Sequence, residues 1–174
     1  MTLGFKTHIN NKPTHFVEKI WESIFQKSIL CDADEFIDKA LEALPGGYQS
    51  GTHPPKIHTI RADPKDRWKP GNKIHMVTGN RTPNRFQFAP VLECVSTQEI
   101  EIKWTSSPYH KICFGLFIDG GLYGTAYGQD KITDVDKTIY DLAINDGFDS
   151  LDDFFQFFDE DFTGKIIHWT GHKY

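Results

Sequence analysis

Lys56-Ile57-His58-Thr59-Ile60-Arg61 is a short stretch that combines a strand pattern with an unusual number of polar side chains. Its β-branched residues Ile57, Thr59 and Ile60 favour a β-strand. The stretch begins directly after Pro54-Pro55, a stiff pair that cannot continue a helix. Because Lys, His, Thr and Arg all occur within it, it is either a solvated edge strand or a strand that lines a polar cleft.

The composition indicates a folded protein and limits its class. With 174 residues, 39% apolar residues, 14 Phe and four Trp, the chain can build one well-buried domain. No run approaches the roughly 20 apolar residues of a membrane helix, and the first residues lack the apolar segment of a signal peptide. Cys31, Cys94 and Cys113 are widely spaced, which argues against a disulfide framework or a cysteine-based zinc site. The sequence therefore predicts a cytoplasmic protein without a membrane partner.

The charges are distributed unevenly along the chain. Its net charge is −5, but residues 53–85 contain eight Lys and Arg against two Asp, a local charge of +6 that leaves −11 elsewhere. Residues 134–161 contain ten acidic residues and one Lys. A basic centre in an acidic protein indicates a localised anionic partner. The basic and acidic faces can equally pair with each other or be solvated.

Hydrophobic periodicity and turn residues predict helices and strands in alternation along the chain. The predicted helices cover about residues 14–28, 32–44, 133–145 and 151–158, and the strands cover 3–9, 56–61, 72–78, 91–104, 112–118, 122–127 and 164–170. Asp32 with Glu35 resembles a capping box, and Ser150 with Asp153 is typical of a helix N-cap. With no internal repeat and no linker, the pattern predicts one α+β domain, a mixed sheet dressed by helices.

Several of these segments resemble the ASCH family, whose members are small β-barrels similar to the RNA-binding PUA domain. The signature of that family is similar to Lys56–Arg61, to the turn Arg67-Trp68-Lys69-Pro70-Gly71 and to the strand after it. Thr14–Ile20 resembles the helix before the signature, and Ile166–Thr170 the closing strand. Asp146-Gly147-Phe148 resembles a segment that returns a carboxylate to the cleft.

The resemblance implies a fold and a choice of two functions. The implied fold is a single-domain PUA-like mixed β-barrel with peripheral helices over residues 1–174, with a helical insertion at about residues 28–52. Many ASCH domains bind RNA or a nucleotide, and certain small bacterial members are amidohydrolases of N4-acetylcytidine that use a Lys, a Thr and a carboxylate. Transferred residue by residue, these catalytic groups are Lys56, Thr59 and Asp146, with Asp in place of the family's Glu.

Hydrolysis by these residues has a physical rationale. A Thr hydroxyl is a weak nucleophile that needs an adjacent base. A Lys can be that base if burial or a nearby cation such as Arg61 lowers its pKa. Asp146 can protonate the leaving amine if an apolar wall raises its pKa. Strand alternation places Lys56 and Thr59 on opposite faces, so the two converge only if the chain bends near Ile57.

Other side chains are candidates for binding the same ligand. Trp68, beside Lys69, can stack on a base, or it can pack on its own barrel. Arg81 and Arg85 can contact phosphate, or they can be solvated loop residues. The predicted ligand-binding residues are Arg61, Trp68, Lys69 and Arg81, and the predicted partner is RNA or a small nucleotide or nucleoside.

Ordinary structural roles and a third function stay open for the same chain. Lys56 can be an exposed lysine at the start of a strand, and Thr59 an ordinary strand residue. The helix at 32–44 and the acidic C-terminal half can instead form a protein-interaction surface. The eight histidines form no convincing pair of metal ligands, so the sequence predicts neither a metal nor a cofactor.

Overall fold

The structure, a computed structural model, describes residues 1–26, 33–44, 46–47, 49 and 51–174, and the side chains of all of these except residues 33–37. The helices in this part of the chain are α1 (Phe16–Gln26), α2 (Ala33–Ala43), α3 (Lys137–Asn145) and α4 (Leu151–Phe157). The strands are β1 (Thr2–Gly4), β2 (His8–Ile9), β3 (Lys12–Pro13), β4 (His58–Arg61), β5 (Lys73–Thr78), β6 (Phe86–Gln87), β7 (Leu92–Glu93), β8 (Ser96–Thr105), β9 (Ile112–Ile118), β10 (Gly121–Gly128), β11 (Ile132–Val135) and β12 (Phe162–His168).

Six of these strands form one antiparallel sheet that curls into half of a barrel. Their order across the sheet is β11-β10-β9-β8-β12-β4. β9 and β10 are joined by a tight hairpin in which Asp119 and Gly120 both have left-handed backbone, with φ of 50° and 79°. β4, which contains the last four residues of the stretch Lys56–Arg61, pairs with β12 and forms one edge of this sheet. The fold is therefore of the α+β class, as the sequence predicts.

A smaller sheet is built around β5. β1 runs parallel to β5, while β6 and β7 pair with it in the antiparallel sense. β2 and β3 form a separate two-stranded ribbon. The residues predicted as one strand over 3–9 are thus divided between two sheets, and Gly4, the last residue of β1, is followed by a turn toward β2.

Two clusters of buried apolar side chains hold the helices against the sheets. In the first, Ile20 and Trp21 of α1 pack with Ile74 and Met76 of β5. The second joins β8 and β9 to α3, α4 and the aromatic residues near α4. Each cluster buries one face of its helices, which is the packing that the apolar stripes in the sequence predict.

The residue alternation predicted for the long central strand is confirmed in β8. Ile100 and Ile102 are 1% and 0% exposed. Glu99, which precedes them, is exposed, and Glu101, which lies between them, is half-buried. A period of two is the pattern of a strand with one face against a core and the other toward solvent.

The single strand predicted over 91–104 is wrong at its N-terminal end. The chain changes sheets between Cys94 and Val95: the Cys94 N–H donates to Asn72 O at 2.8 Å, and the Val95 N–H donates to His168 O at 2.8 Å. Residues before this point therefore pair with the small sheet as β7, and residues after it pair with the large sheet as β8. A uniform apolar pattern does not show which sheet a residue pairs with.

The helix predicted from residue 133 begins later than expected. Val135, expected on the buried face of that helix, belongs instead to β11, which pairs with β10. The carboxylate of Asp136 accepts hydrogen bonds from the Thr125 N–H at 2.7 Å and the Thr125 hydroxyl at 2.9 Å. These bonds hold the chain to the sheet through Asp136, so α3 begins at Lys137.

The helix predicted over 32–44 corresponds to α2. Asp32 of its predicted capping box and Pro45 after its end lie outside the described residues, as do the side chains of Glu35, Phe36 and Ile37. Within the described part of the chain, no helix is long and apolar enough to cross a membrane.

The N-cap predicted at Ser150 is confirmed and gives a test of the fold. The Ser150 hydroxyl oxygen accepts the Asp153 N–H at 3.1 Å. Ser150→Ala should lower the free energy of unfolding by about 1 kcal/mol, because one part-buried N–H at the start of α4 loses its acceptor. Chemical denaturation would measure the change. Ser150→Gly is the matched control and should cost only a few tenths of a kcal/mol; equal losses in both variants would contradict this account.

Candidate functional site

Lys56 lies just before β4 and is held by backbone hydrogen bonds to two helices. Its N–H donates to Lys19 O of α1 at 2.9 Å, and the Ile57 N–H donates to Asn145 O of α3 at 3.0 Å. Pairing in the sheet starts only at His58. Lys56 is therefore outside the strand alternation, and its side chain lines the same cleft as that of Thr59. Lys56 and Thr59 thus line one cleft, which the hydrolysis hypothesis requires.

Asp146 is brought to this cleft by the end of α3. Its N–H donates to Leu142 O at 2.9 Å, as in a last helical turn, and Gly147 follows with φ of 88°. A Cβ on Gly147 would lie 3.0 Å from the Lys56 Cδ and 3.1 Å from the Phe16 Cε1. Glycine is thus required here for two reasons, the left-handed backbone and the close approach of Lys56.

Lys56 and Asp146 form a buried ion pair at the base of the cleft. The Lys56 Nζ lies 2.6 Å from the Asp146 Oδ1 and also donates to the Asp146 main-chain O. Their side chains are only 2% and 6% exposed. The Asp146 Oδ1 accepts a further hydrogen bond from the Ile60 N–H at 3.2 Å. The Lys56 ammonium also lies 4.9 Å from the centre of the Phe16 ring, within cation–π range.

Burial shifts the pKa of each member of the pair in the direction that favours its neutral form. Burial lowers the pKa of Lys56 to about 8, although the Asp146 carboxylate opposes this shift. Burial likewise raises the pKa of Asp146, with the charge of Lys56 acting in the opposite direction. The two pKa values are therefore closer together than those of a solvated Lys and Asp, and moving a proton between the two groups costs less.

Thr59 and Arg61 of β4 line the same cleft. Among the described residues the Thr59 hydroxyl forms no hydrogen bond, although Thr59 is only 1% exposed. The Arg61 guanidinium donates to Gly4 O at 3.0 Å and lies 5.3 Å from the centre of the Phe5 ring. That single hydrogen bond leaves most of the five guanidinium N–H donors unused.

The cleft has the lining of a small-molecule site. Its cavity volume is about 100 Å³, smaller than the roughly 300–1,000 Å³ of typical ligand pockets. The polar base is surrounded by apolar walls, which are formed by Ile9, Phe16, Phe148 and Phe157. Flat aromatic walls around a few convergent polar groups suit a flat ligand with a polar edge.

Three of the four predicted ligand-binding residues do not reach this cleft. Trp68 is only 4% exposed and packs in the cluster that contains Ile74, so its ring has no open face on which a base can stack. The Lys69 ammonium pairs with Asp66. Neither residue is among those that line the cleft. Arg81 lies outside it too, in an adjoining groove.

A buried histidine behind Asp146 was not anticipated from the sequence. The His58 Nε2 lies 2.6 Å from the Tyr174 hydroxyl oxygen, which also accepts the Asn145 side-chain N–H at 3.0 Å. The His58 Nδ1 lies 3.6 Å from the Asp146 Oδ1, beyond hydrogen-bond distance. Burial, followed by the charge of Lys56, holds the pKa of His58 well below its usual range, so the ring is neutral.

No sequence signal pointed to this arrangement, because His58 and Tyr174 are far apart in the chain.

Comparison of the chain with protein-family models, curated proteins and solved structures finds no match. The ASCH resemblance therefore stays a prediction. In the described part of the chain, no group of three or more His, Cys, Asp or Glu is arranged to hold a metal ion.

The low pKa of Lys56 can be measured directly. In NMR titrations that observe the lysine ε-carbons, one lysine should titrate near pH 8, because the Lys56 ammonium is desolvated. Lys56→Met should remove this one titration and leave the other lysine curves unchanged, which assigns it. A wild-type protein in which every lysine titrates near the ordinary value of about 10.4 would contradict the burial of Lys56.

Proposed function

We propose that the cleft binds RNA or a nucleotide or nucleoside ligand, and that the curled sheet belongs to a PUA-like barrel of the ASCH type. The single observation that supports this proposal is the meeting of Lys56, Thr59, Arg61 and Asp146 in one cleft. These residues come from two segments of the chain 90 residues apart, so their convergence is a product of the fold.

The cleft matches the chemistry of a nucleobase. A base has two apolar faces and an edge of hydrogen-bond donors and acceptors. The walls offer the rings of Phe16, Phe148 and Phe157, and the base of the cleft offers the free Thr59 hydroxyl and the unused Arg61 donors. A ligand that satisfies these groups while it covers the rings gains both specificity and apolar contact.

Binding assays with variants of Arg61 and Thr59 test this proposal. Calorimetric titration at low salt should show that Arg61→Gln weakens binding of nucleotide or short RNA by about tenfold or more, because a charge-assisted contact is lost. Thr59→Val, which keeps the side-chain shape and removes the hydroxyl, should weaken it less. Arg85→Gln, an exposed arginine outside the cleft, is the control.

The proposal fails if the wild-type protein binds neither nucleotides nor RNA at low salt. It also fails if Arg61→Gln and Arg85→Gln have equal effects while both variants keep the wild-type unfolding midpoint. The unfolding midpoint matters because Arg61 also donates to Gly4 O and a change there can perturb β1.

A second candidate function, hydrolysis of an amide on a modified pyrimidine such as N4-acetylcytidine, is favoured by the ion pair of Lys56 and Asp146, in which burial lowers the pKa of Lys56 and raises that of Asp146. In this reaction the Thr59 oxygen would attack the acetyl carbonyl while Lys56, in its neutral form, accepts the hydroxyl proton. The C–N bond would then break with a proton delivered to the leaving amine, and water would hydrolyse the acetyl–threonine ester. Asp146 is one methylene shorter than the glutamate of the family, which shortens its reach.

Incubation with N4-acetylcytidine and detection of released cytidine tests this candidate. Turnover should rise as the pH approaches about 8, because neutral Lys56 becomes more abundant. Lys56→Met should abolish release, whereas Asp146→Glu, which restores the longer carboxylate, should retain or increase it. No release by the wild-type protein, or full release by Lys56→Met, would rule out hydrolysis while leaving the binding proposal intact.

A further inference from the structure

A second concavity, here called the Lys6–Arg81 groove, opens beside the cleft and shares Gly4 and Lys6 with it. One wall is the chain from Gly4 to His8, and the other is the turn formed by Gly79, Asn80 and Arg81. The groove contains about 920 Å³ of space including its wide opening. The cleft and the groove therefore adjoin along Gly4 and Lys6.

The Lys6–Arg81 groove is positively charged. Lys6, His8 and Arg81 are exposed, and no acidic side chain lies among the described residues that line it. Within the described part of the chain neither Lys6 nor Arg81 forms an ion pair, although most other lysines near the small sheet do. In a chain with a net charge of −5, an acid-free groove of this kind attracts anions to one place.

The backbone that carries Arg81 is fixed in an unfavourable conformation. Arg81 has φ of 65°, in the left-handed region that side-chain-bearing residues rarely adopt. The turn is closed because the Thr82 N–H and hydroxyl both donate to Gly79 O, at 3.0 and 2.7 Å. A Cβ on Gly79 would lie 2.5 Å from Asn84 O, so the turn also requires glycine there. Strained backbone of this kind is found more often at functional sites.

We propose that the Lys6–Arg81 groove binds the phosphate of a nucleotide whose base occupies the cleft. This inference rests on the proposed function and names the class of ligand: a nucleoside that carries a phosphate. The Arg81 guanidinium presents a planar fork of N–H donors that matches two phosphate oxygens. Lys6, at the shared wall, supplies a second cation between the base and the phosphate. A free mononucleotide and a residue within RNA both provide this chemistry.

Calorimetry with paired ligands tests the inference. The four nucleosides, their 3′ and 5′ monophosphates and a short RNA would be titrated into the full chain at low salt. At least one monophosphate should bind about tenfold or more tightly than its nucleoside. Arg81→Gln should remove most of that gain and leave nucleoside affinity unchanged, because Arg81 lines the groove and not the cleft. Tighter binding of the RNA than of any monophosphate assigns the phosphate to RNA, and equal binding assigns it to the free nucleotide.

Arg85→Gln is the matched control, since Arg85 is an exposed arginine close to Arg81 that does not line the groove. It should keep the full gain from the phosphate. Equal losses from Arg85→Gln and Arg81→Gln would overturn the inference, because they would show general charge attraction. Equal affinity of the wild-type protein for nucleosides and monophosphates would also overturn it, and would leave the proposed function standing.

An experiment with inorganic phosphate distinguishes failure of the groove proposal from failure of the cleft proposal. If no nucleoside or nucleotide binds, NMR spectra recorded with and without phosphate still report on the Lys6 and Arg81 amide resonances. Shifts in those amides, absent from Arg81→Gln, would retain the groove as a phosphate site while the proposed function fails. Unchanged amides would overturn both proposals.

Discussion

The buried ion pair between Lys56 and Asp146 joins two segments of the chain 90 residues apart and fixes the base of the cleft. Both side chains are nearly inaccessible to solvent, at 2% and 6% exposure. Removing one partner of such a pair leaves an unpaired buried charge, which costs about 3–5 kcal/mol. Replacing both partners with apolar residues of similar volume is often neutral or stabilising. Stability alone therefore gives no reason for a Lys–Asp pair here, whereas a role in ligand chemistry does.

The pair also depends on how α3 ends. The last carbonyl groups of a helix lack partners within it and carry the negative end of the helix dipole. Two buried lysines bind at this end: Lys56 donates to the carbonyl of the C-cap residue Asp146, and Lys19 of α1 donates to Gly147 O, just after the helix, at 2.8 Å. Lys19 reaches Asp149 Oδ1 as well, at 2.6 Å. The same contacts that close α3 thus attach α1 and the chain before β4 to it, so the carboxylate of Asp146 is rigidly placed.

Local patterns predicted the parts of the fold that depend on local physics. The alternation around Ile100 and the cap at Ser150 follow from strand geometry and hydrogen bonding within a few residues, and both are confirmed. The change of sheet after Cys94 and the burial of Trp68 depend on which distant strands are neighbours, which a single sequence does not show. The candidate site divides in the same way: Lys56, Thr59 and Asp146 were found by resemblance, whereas the contact of His58 with Tyr174 exists only through the fold.

Binding and hydrolysis require Lys56 in different protonation states. An ammonium has three N–H donors, and Lys56 directs two of its hydrogen bonds to the Oδ1 and main-chain O of Asp146. A binding role uses the pair in this state, with Thr59 and Arg61 facing the ligand. Hydrolysis requires a lone pair on the Lys56 amine, so the proton must first leave the amine for Asp146 or for solvent. Burial makes that transfer less costly, and the neutral His58 behind Asp146 adds no positive charge to oppose protonation of the carboxylate. Of the two proposed functions, binding therefore uses the ion pair as it stands, whereas hydrolysis requires this one proton transfer first.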